Sequence, residues 1–264
     1  MKKIIYYKDE LNDDFASTIK KVNPLPENYC YVSKNPLFKL FSFVIYRLLA
    51  RPLVWCYTVV KFRHKYVNKK AINKLRSGCM IYGNHVTVVG EAFIPNLISI
   101  KKRNYIVTGK ETNSLTCILP LLKALGNIPL GQTPAQQCRM YRCIKQRLRE
   151  GHTVTVYPEA HIWPYYTGIR PFAADSFRVA AMCNVPVFSM TKCFQKKRLG
   201  KTPKVVTFID GPFYPKQGLT HAQNAQYLRD VVYEKMIERA QAHSTYVYYE
   251  YRKTEDENDG TQSN

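Results

Sequence analysis

Acidic residues are scarce in this chain, and over one stretch they are missing altogether. Asp and Glu number 19 against 40 Lys and Arg, a formal charge of +21, and residues 36–80 hold ten basic residues and no carboxylate. Such a field draws polyanions: nucleic acid, an anionic membrane surface or phosphorylated small molecules. Long uncharged runs are lacking too. The longest in the basic stretch, residues 52–60, is nine residues, where a membrane span needs about 20, so no transmembrane helix is expected. There is no internal repeat, no glycine-rich phosphate loop and no C-x-x-C pair among the eight cysteines, and the six histidines do not join them at metal-ligand spacing. No metal is expected, and the thiols read as reduced in a cytosol-facing protein. The N-terminus does not read as a signal peptide, because the apolar residues Ile4 to Tyr7 are interrupted at once by Lys8, Asp9 and Glu10. A nucleic-acid reader motif is absent as well, and the basic residues concentrate in a hydrophobic stretch, so no nucleic-acid partner is expected.

What is present is a folded protein, 45% apolar with 20 Tyr and 12 Phe, long enough for one sizeable α/β domain. Residues 1–35 read as an irregular lead-in, with a short strand at 4–7 and Pro24, Pro26 and Pro36 as punctuation. Residues 36–68 read as a pair of amphipathic basic helices that Pro52 kinks or splits. Arg47 and Arg51 stack at i, i+4 among Leu40, Phe43, Val44 and Leu48, a pattern that suits a membrane interface, with the polybasic 61–76 facing anionic head groups. Residues 69–253 alternate in a βαβ manner, which predicts a mostly parallel central sheet flanked by helices. Strands are expected at 105–108, 127–130, 153–157, 185–190 and 205–209, and helices at 111–125, 134–150, 174–183 and 222–242. The basic face of Arg139, Arg142, Lys145 and Arg149 reads as solvated, or as a dock for an acidic carrier protein. Residues 254–264 read as a disordered acidic tail.

The stretch that organises the rest is MIYGNHVTVVGEAFI, residues 80–94. An apolar strand empties into Gly83 and Asn84, His85 follows at once, and Glu91 opens the next apolar segment. Strand ends are where α/β sheets place their chemistry. A His with a carboxylate in reach is held in one tautomer and works as a general base. A helix beginning near Gly90 would present free backbone N–H groups to an anion.

Three stretches together resemble the glycerophospholipid acyltransferases, the lysophosphatidic acid acyltransferases in particular. The family's N-H-x4-D motif is matched by Asn84 and His85, and its F-P-E-G-T-R motif by Tyr157-Pro158-Glu159-Ala160-His161-Ile162, with Pro171-Phe172 and Phe177-Arg178-Val179-Ala180 following. Val185-Pro186-Val187 matches its V-P-V-like strand, while only Gly126 and Ile128 survive of its second motif. The resemblance covers about residues 70–210, and its order and spacing, about 70 residues from His85 to Glu159, make it fairly specific.

It implies transfer of a fatty acyl group from a thioester to the hydroxyl of a lysophospholipid, most readily 1-acylglycerol 3-phosphate to give phosphatidic acid. His85 would be the base and Glu91 its orienting partner, standing one residue beyond the family's Asp, whose position is Gly90 here. Asn84 belongs to the substrate-binding set, and Glu159 would bind the acceptor's hydroxyl or brace its loop. The family's phosphate-binding arginines are absent, Ile162 standing in one of their places, so Lys110, Arg170 and Arg178 are the candidate replacements and His161 a further donor or a packing residue. No cofactor is expected beyond acyl-coenzyme A or acyl carrier protein as co-substrate. The partners implied are a membrane phospholipid surface and the lysophospholipid, the place a peripheral or monotopic one on the cytoplasmic face. The competing readings are an acyltransferase for glycerol 3-phosphate or another lysolipid and, of a different class, a non-catalytic membrane-surface protein on the same fold.

Overall fold

The computed structural model describes residues 3–15, 22–87, 91, 93–115 and 118–254. The expected tail, apart from Thr254, and Gly90 lie outside them. Strands β1 (Lys3–Tyr7), β2 (Lys65–Val67), β3 (Cys79–Gly83), β4 (Asn104–Thr108), β5 (Asn127–Pro129), β6 (Thr153–Val156), β7 (Val187–Gln195), β8 (Lys204–Phe213) and β9 (Tyr249–Lys253) form two sheets. The larger runs β2-β8-β7-β3-β6-β4-β5, and every neighbouring pair is parallel except β7 and β8. This is an α/β fold with a mostly parallel central sheet flanked by helices.

Both faces of that sheet are covered, so its central strands β3, β6 and β7 are buried along almost their whole length. On β3 the side chains alternate as strand geometry demands. Met80 and Tyr82 enter the core beneath α5 (Pro134–Arg149), α6 (Arg178–Cys183) and α7 (His221–His243), which contributes Leu228, Val232 and Met236. Cys79 and Ile81 enter the opposite core with Ile72, Ile98, Phe188 and Ile209. Helix α5 starts as the sequence predicts, with Thr133 and Gln136 forming a reciprocal capping box.

Several elements depart from expectation, each for a local reason. The helix expected over 111–125 divides into a 3₁₀ turn, Lys110–Ser114, and α4 (Leu119–Ala124), because Pro120 is tolerated only in a first helical turn and there it sits. Only Arg178–Cys183 of the helix expected over 174–183 is α-helical, a 3₁₀ turn at Asp175–Phe177 preceding it. Strand β2 lies within the polybasic stretch and pairs with β8. The lead-in strand β1 pairs in parallel with β9 from the far end of the chain.

The basic amphipathic segment is one helical run and not a split pair. α1 (Pro36–Val44) passes through a π-helical turn, Ile45–Ala50, into α2 (Arg51–Phe62), and all junction residues keep helical dihedrals. Pro52 falls in the first turn of α2, and the wider turn before it carries the hydrogen bonding past the ring: Arg51 N–H donates to Tyr46 O, five residues back. The run docks through Ser42, Tyr46, Thr58 and Phe62, the residues it buries, and the Tyr46 hydroxyl accepts the Asn104 N–H at 2.9 Å. Its outer face leaves Leu37, Leu40, Leu53, Trp55 and Val60 each at least 60% exposed. None of the described helices is long and apolar enough to cross a membrane.

Candidate active site

The C-terminal end of β3 delivers the site. Asn84 follows the strand and locks it to β7, its amide nitrogen donating to Lys192 O at 3.0 Å and its amide oxygen accepting from Lys192 N at 2.8 Å. With 1% of its surface exposed and its amide bonded to backbone at both ends, Asn84 positions His85 and is not open to substrate.

His85 is gripped from several sides. Its N–H donates to Glu159 Oε2 at 3.2 Å, its carbonyl accepts the Trp163 N–H at 3.0 Å, and its ring stacks on Tyr157 with centroids 4.6 Å apart and planes 12° from parallel. Glu91 reaches it despite the shifted register. Glu91 Oε2 lies 2.5 Å from His85 Nδ1, and the buried carboxylate also accepts from the N–H groups of Val86 (3.3 Å) and Thr87 (3.2 Å). The stretch around Gly90, where a helix is expected to open and present N–H groups to an anion, lies outside the described residues, and a 3₁₀ turn follows at Ile94–Leu97.

Sequence reasoning missed a fourth member, Lys192. Buried on β7 with 1% exposure, it forms an ion pair through Nζ with Glu91 Oε1 and lies 4.9 Å from the Tyr157 ring centroid. Burial pushes the Glu91 carboxyl up, but Lys192, His85 and their hydrogen bonds outweigh it and hold the group below its ordinary value. Burial pushes Lys192 down, against the pull of Glu91. An ionised carboxylate is an acceptor only, so the proton between it and His85 sits on Nδ1. Nε2 then carries the free lone pair, the state a general base requires.

A second carboxylate stands beside this group in a different electrical state. Glu159 is buried, and burial raises its carboxyl to about 7 against the partial opposition of Arg170 and the His85 N–H. Its Oε2 accepts from His85 N–H and Arg170, while Oε1 is buried without a partner. Arg170 is spent on the same loop: it donates to Glu159 O at 3.1 Å, to His161 O and to Glu10 O at 3.3 Å, and its guanidinium lies 5.1 Å from the Trp163 ring centroid. At 1% exposure it braces the loop and is closed to a substrate phosphate. Ala160 holds φ +64°, the left-handed conformation that favours the glycine of the family motif.

The other candidates stay apart from this cluster. Lys110 is exposed at the turn after β4, on the same C-terminal edge of the sheet as His85. His161 is half-exposed, with Nδ1 3.8 Å from Asp14 Oδ2. Arg178 is 65% exposed and paired at 3.2 Å with Asp175. Among the described residues none of these three makes a side-chain contact with His85, Glu91 or Glu159. The signal for Lys192 was a lysine inside the apolar strand VFSMTKCFQ, since a buried ammonium needs a buried partner.

Comparison with known proteins bears on this arrangement. One similar solved structure is the crystal structure of the 1-acyl-sn-glycerophosphate (LPA) acyltransferase PlsC from Thermotoga maritima, 16% identical, with 78% of this chain and 96% of that chain covered at a TM-score of 0.49. No curated protein matches in sequence. The acyltransferase family model matches residues 63–192, the span that contains His85, Glu91, Glu159, Arg170 and Lys192, so this span is an acyltransferase-family domain.

Proposed function

We propose that this acyltransferase moves a fatty acyl group from a thioester, of coenzyme A or acyl carrier protein, to the hydroxyl of a membrane lysophospholipid, with 1-acylglycerol 3-phosphate as the preferred acceptor. The observation that carries this reading is the His85–Glu91 contact, which leaves Nε2 as a free base. In the forward step the acceptor oxygen attacks the thioester carbonyl while His85 Nε2 takes its proton. Glu91 holds the ring and stabilises the imidazolium, as the carboxylate of a hydrolytic triad does. The tetrahedral intermediate then collapses, the C–S bond breaks, and the thiolate leaves with the proton from Nε2. Glu159, its side chain buried, braces the loop by accepting the His85 N–H and pairing with Arg170.

The outer face of α1 and α2 supports a substrate drawn from a bilayer. Its exposed Leu, Phe, Val and Trp side chains form a continuous apolar patch beside Arg47, Arg51 and Lys61, an unusual surface for a helix facing water and a suitable one for an anionic membrane. Beneath the helical run lies a cleft of about 900 Å³ lined by apolar side chains, Phe43, Leu48 and Trp55 among them, and by Arg47, Arg51 and Lys69, a slot fit for an acyl chain that ends in an anionic group. This reading makes the protein a peripheral one. The test is acyl transfer in mixed micelles with labelled acyl-coenzyme A and acyl carrier protein donors against lysophosphatidic acid, glycerol 3-phosphate and neutral lysolipids. Transfer to lysophosphatidic acid above the others supports the proposal. Vesicle binding without transfer from any donor would leave a non-catalytic membrane protein.

A further inference from the structure

A second cavity, of about 410 Å³, lies across the sheet from His85. Its lining comes from the segment before α1, from α1 itself, from the end of α4, from the starts of β4 and β5 and from the end of α5. Those are the N-terminal ends of the parallel strands, whereas His85, Lys110 and Glu159 follow C-terminal ends. Five cations line it, Lys34, Lys39, Arg103, Lys123 and Arg147, against the single carboxylate of Glu150. Glu150 is already engaged by Arg147 at 2.8 Å and Gln146 at 2.8 Å. Among the described residues, Lys34, Lys39 and Lys123 have no carboxylate in ion-pair range.

The cavity is built and rigid. Arg103 is held by Ser42 Oγ at 2.7 Å and by Ala124 O at 2.5 Å, and its guanidinium lies 4.6 Å from the Tyr46 ring and 5.1 Å from the Tyr105 ring. Arg147 lies 4.7 Å from the same Tyr105 ring on the other element. Two buried polar groups of the lining, Tyr31 Oη and Asn127 Nδ2, have no hydrogen-bond partner. Buried donors are rarely left unpaired in folded proteins, and here they accompany an excess of uncompensated positive charge.

We propose that this cavity is a second anion site that takes the phosphate head group of an anionic glycerophospholipid. Phosphate suits it because a compact, highly charged anion satisfies several cations at once. The lipid source follows from α1, which contributes Phe38, Lys39 and Ser42 to the lining while turning Leu37, Leu40 and Phe41 outward, so a head group seated here keeps its acyl chains against the apolar face. That assignment rests on the interfacial reading of α1, and not on the chemistry at His85.

Hydrogen exchange localises the ligand. The probe is dihexanoyl phosphatidic acid below its critical micelle concentration, with glycerol 3-phosphate and inorganic phosphate in parallel. The lipid should protect residues 31–42 and 123–128 in the wild type and equally in His85→Ala, which separates this site from the catalytic one. The variant Lys34→Gln/Lys39→Gln/Lys123→Gln should bind there at least about tenfold more weakly. Arg142→Gln/Lys145→Gln/Arg149→Gln removes the same charge from the exposed face of α5 and should bind as the wild type does. Absence of protection in the wild type, or equal weakening by the two triple variants, would overturn the site. Equal protection by glycerol 3-phosphate would overturn its assignment to lipid.

Discussion

The two ends of the central sheet handle charge in opposite ways. At the C-terminal end, Glu91 with Lys192 and Glu159 with Arg170 are buried and matched one to one, with backbone N–H groups of His85, Val86 and Thr87 adding donors to the two carboxylates. At the N-terminal end and along α1, cations outnumber carboxylates and stand partly in water. Buried pairs fix geometry, because removing either partner strands a charge. Unpaired surface cations fix nothing internally and are free for an external anion. The lopsided composition of the chain is thus concentrated where the fold does not need balance.

Four variants sharpen this contrast. Lys192→Met strands Glu91 beside His85 and should cost about 3–5 kcal/mol of stability, read by denaturant unfolding. Glu159→Gln comes next. A carboxyl raised from 4.5 to about 7 on folding favours the folded state below its unfolded value and loses that contribution as pH rises through about 7. The wild type should therefore lose roughly 3 kcal/mol between about pH 4.5 and 7. That part of the slope should vanish in Glu159→Gln, while acyl transfer falls. Leu40→Ser/Trp55→Ser on the outer helical face should change stability by only about 0.5 kcal/mol per site while weakening flotation with anionic vesicles. Arg178→Ala, at an exposed pair, should shift stability by less than about 1 kcal/mol and leave the KM for a phosphorylated acceptor unchanged.

Much of this was legible in the sequence where the signal is local. The start of α5 at Pro134, the strand running into Asn84 and His85, and the βαβ alternation each depend on residues within a few positions of one another. Pairings between distant residues were not legible. Lys192 lies 101 residues from Glu91, and the sheet of β1 and β9 joins the two ends of the described chain. Arg170 read as a free phosphate ligand because nothing near it in sequence reveals that Glu10, Glu159 and His161 engage both of its terminal nitrogens. The exposed face of α1 and α2 was visible as a pattern. Which face docks became clear only with Tyr46 placed against Asn104.

The central claim is that His85 Nε2 is the base and that Glu91, displaced by one residue from the family's position, serves it. The direct measurement is single-turnover acyl transfer to lysophosphatidic acid by wild type, His85→Ala and Glu91→Gln, each first shown to be folded. The expected result is a fall on the order of 10²–10⁴ for His85→Ala, with a smaller loss for Glu91→Gln. Wild-type transfer surviving in His85→Ala would contradict the account.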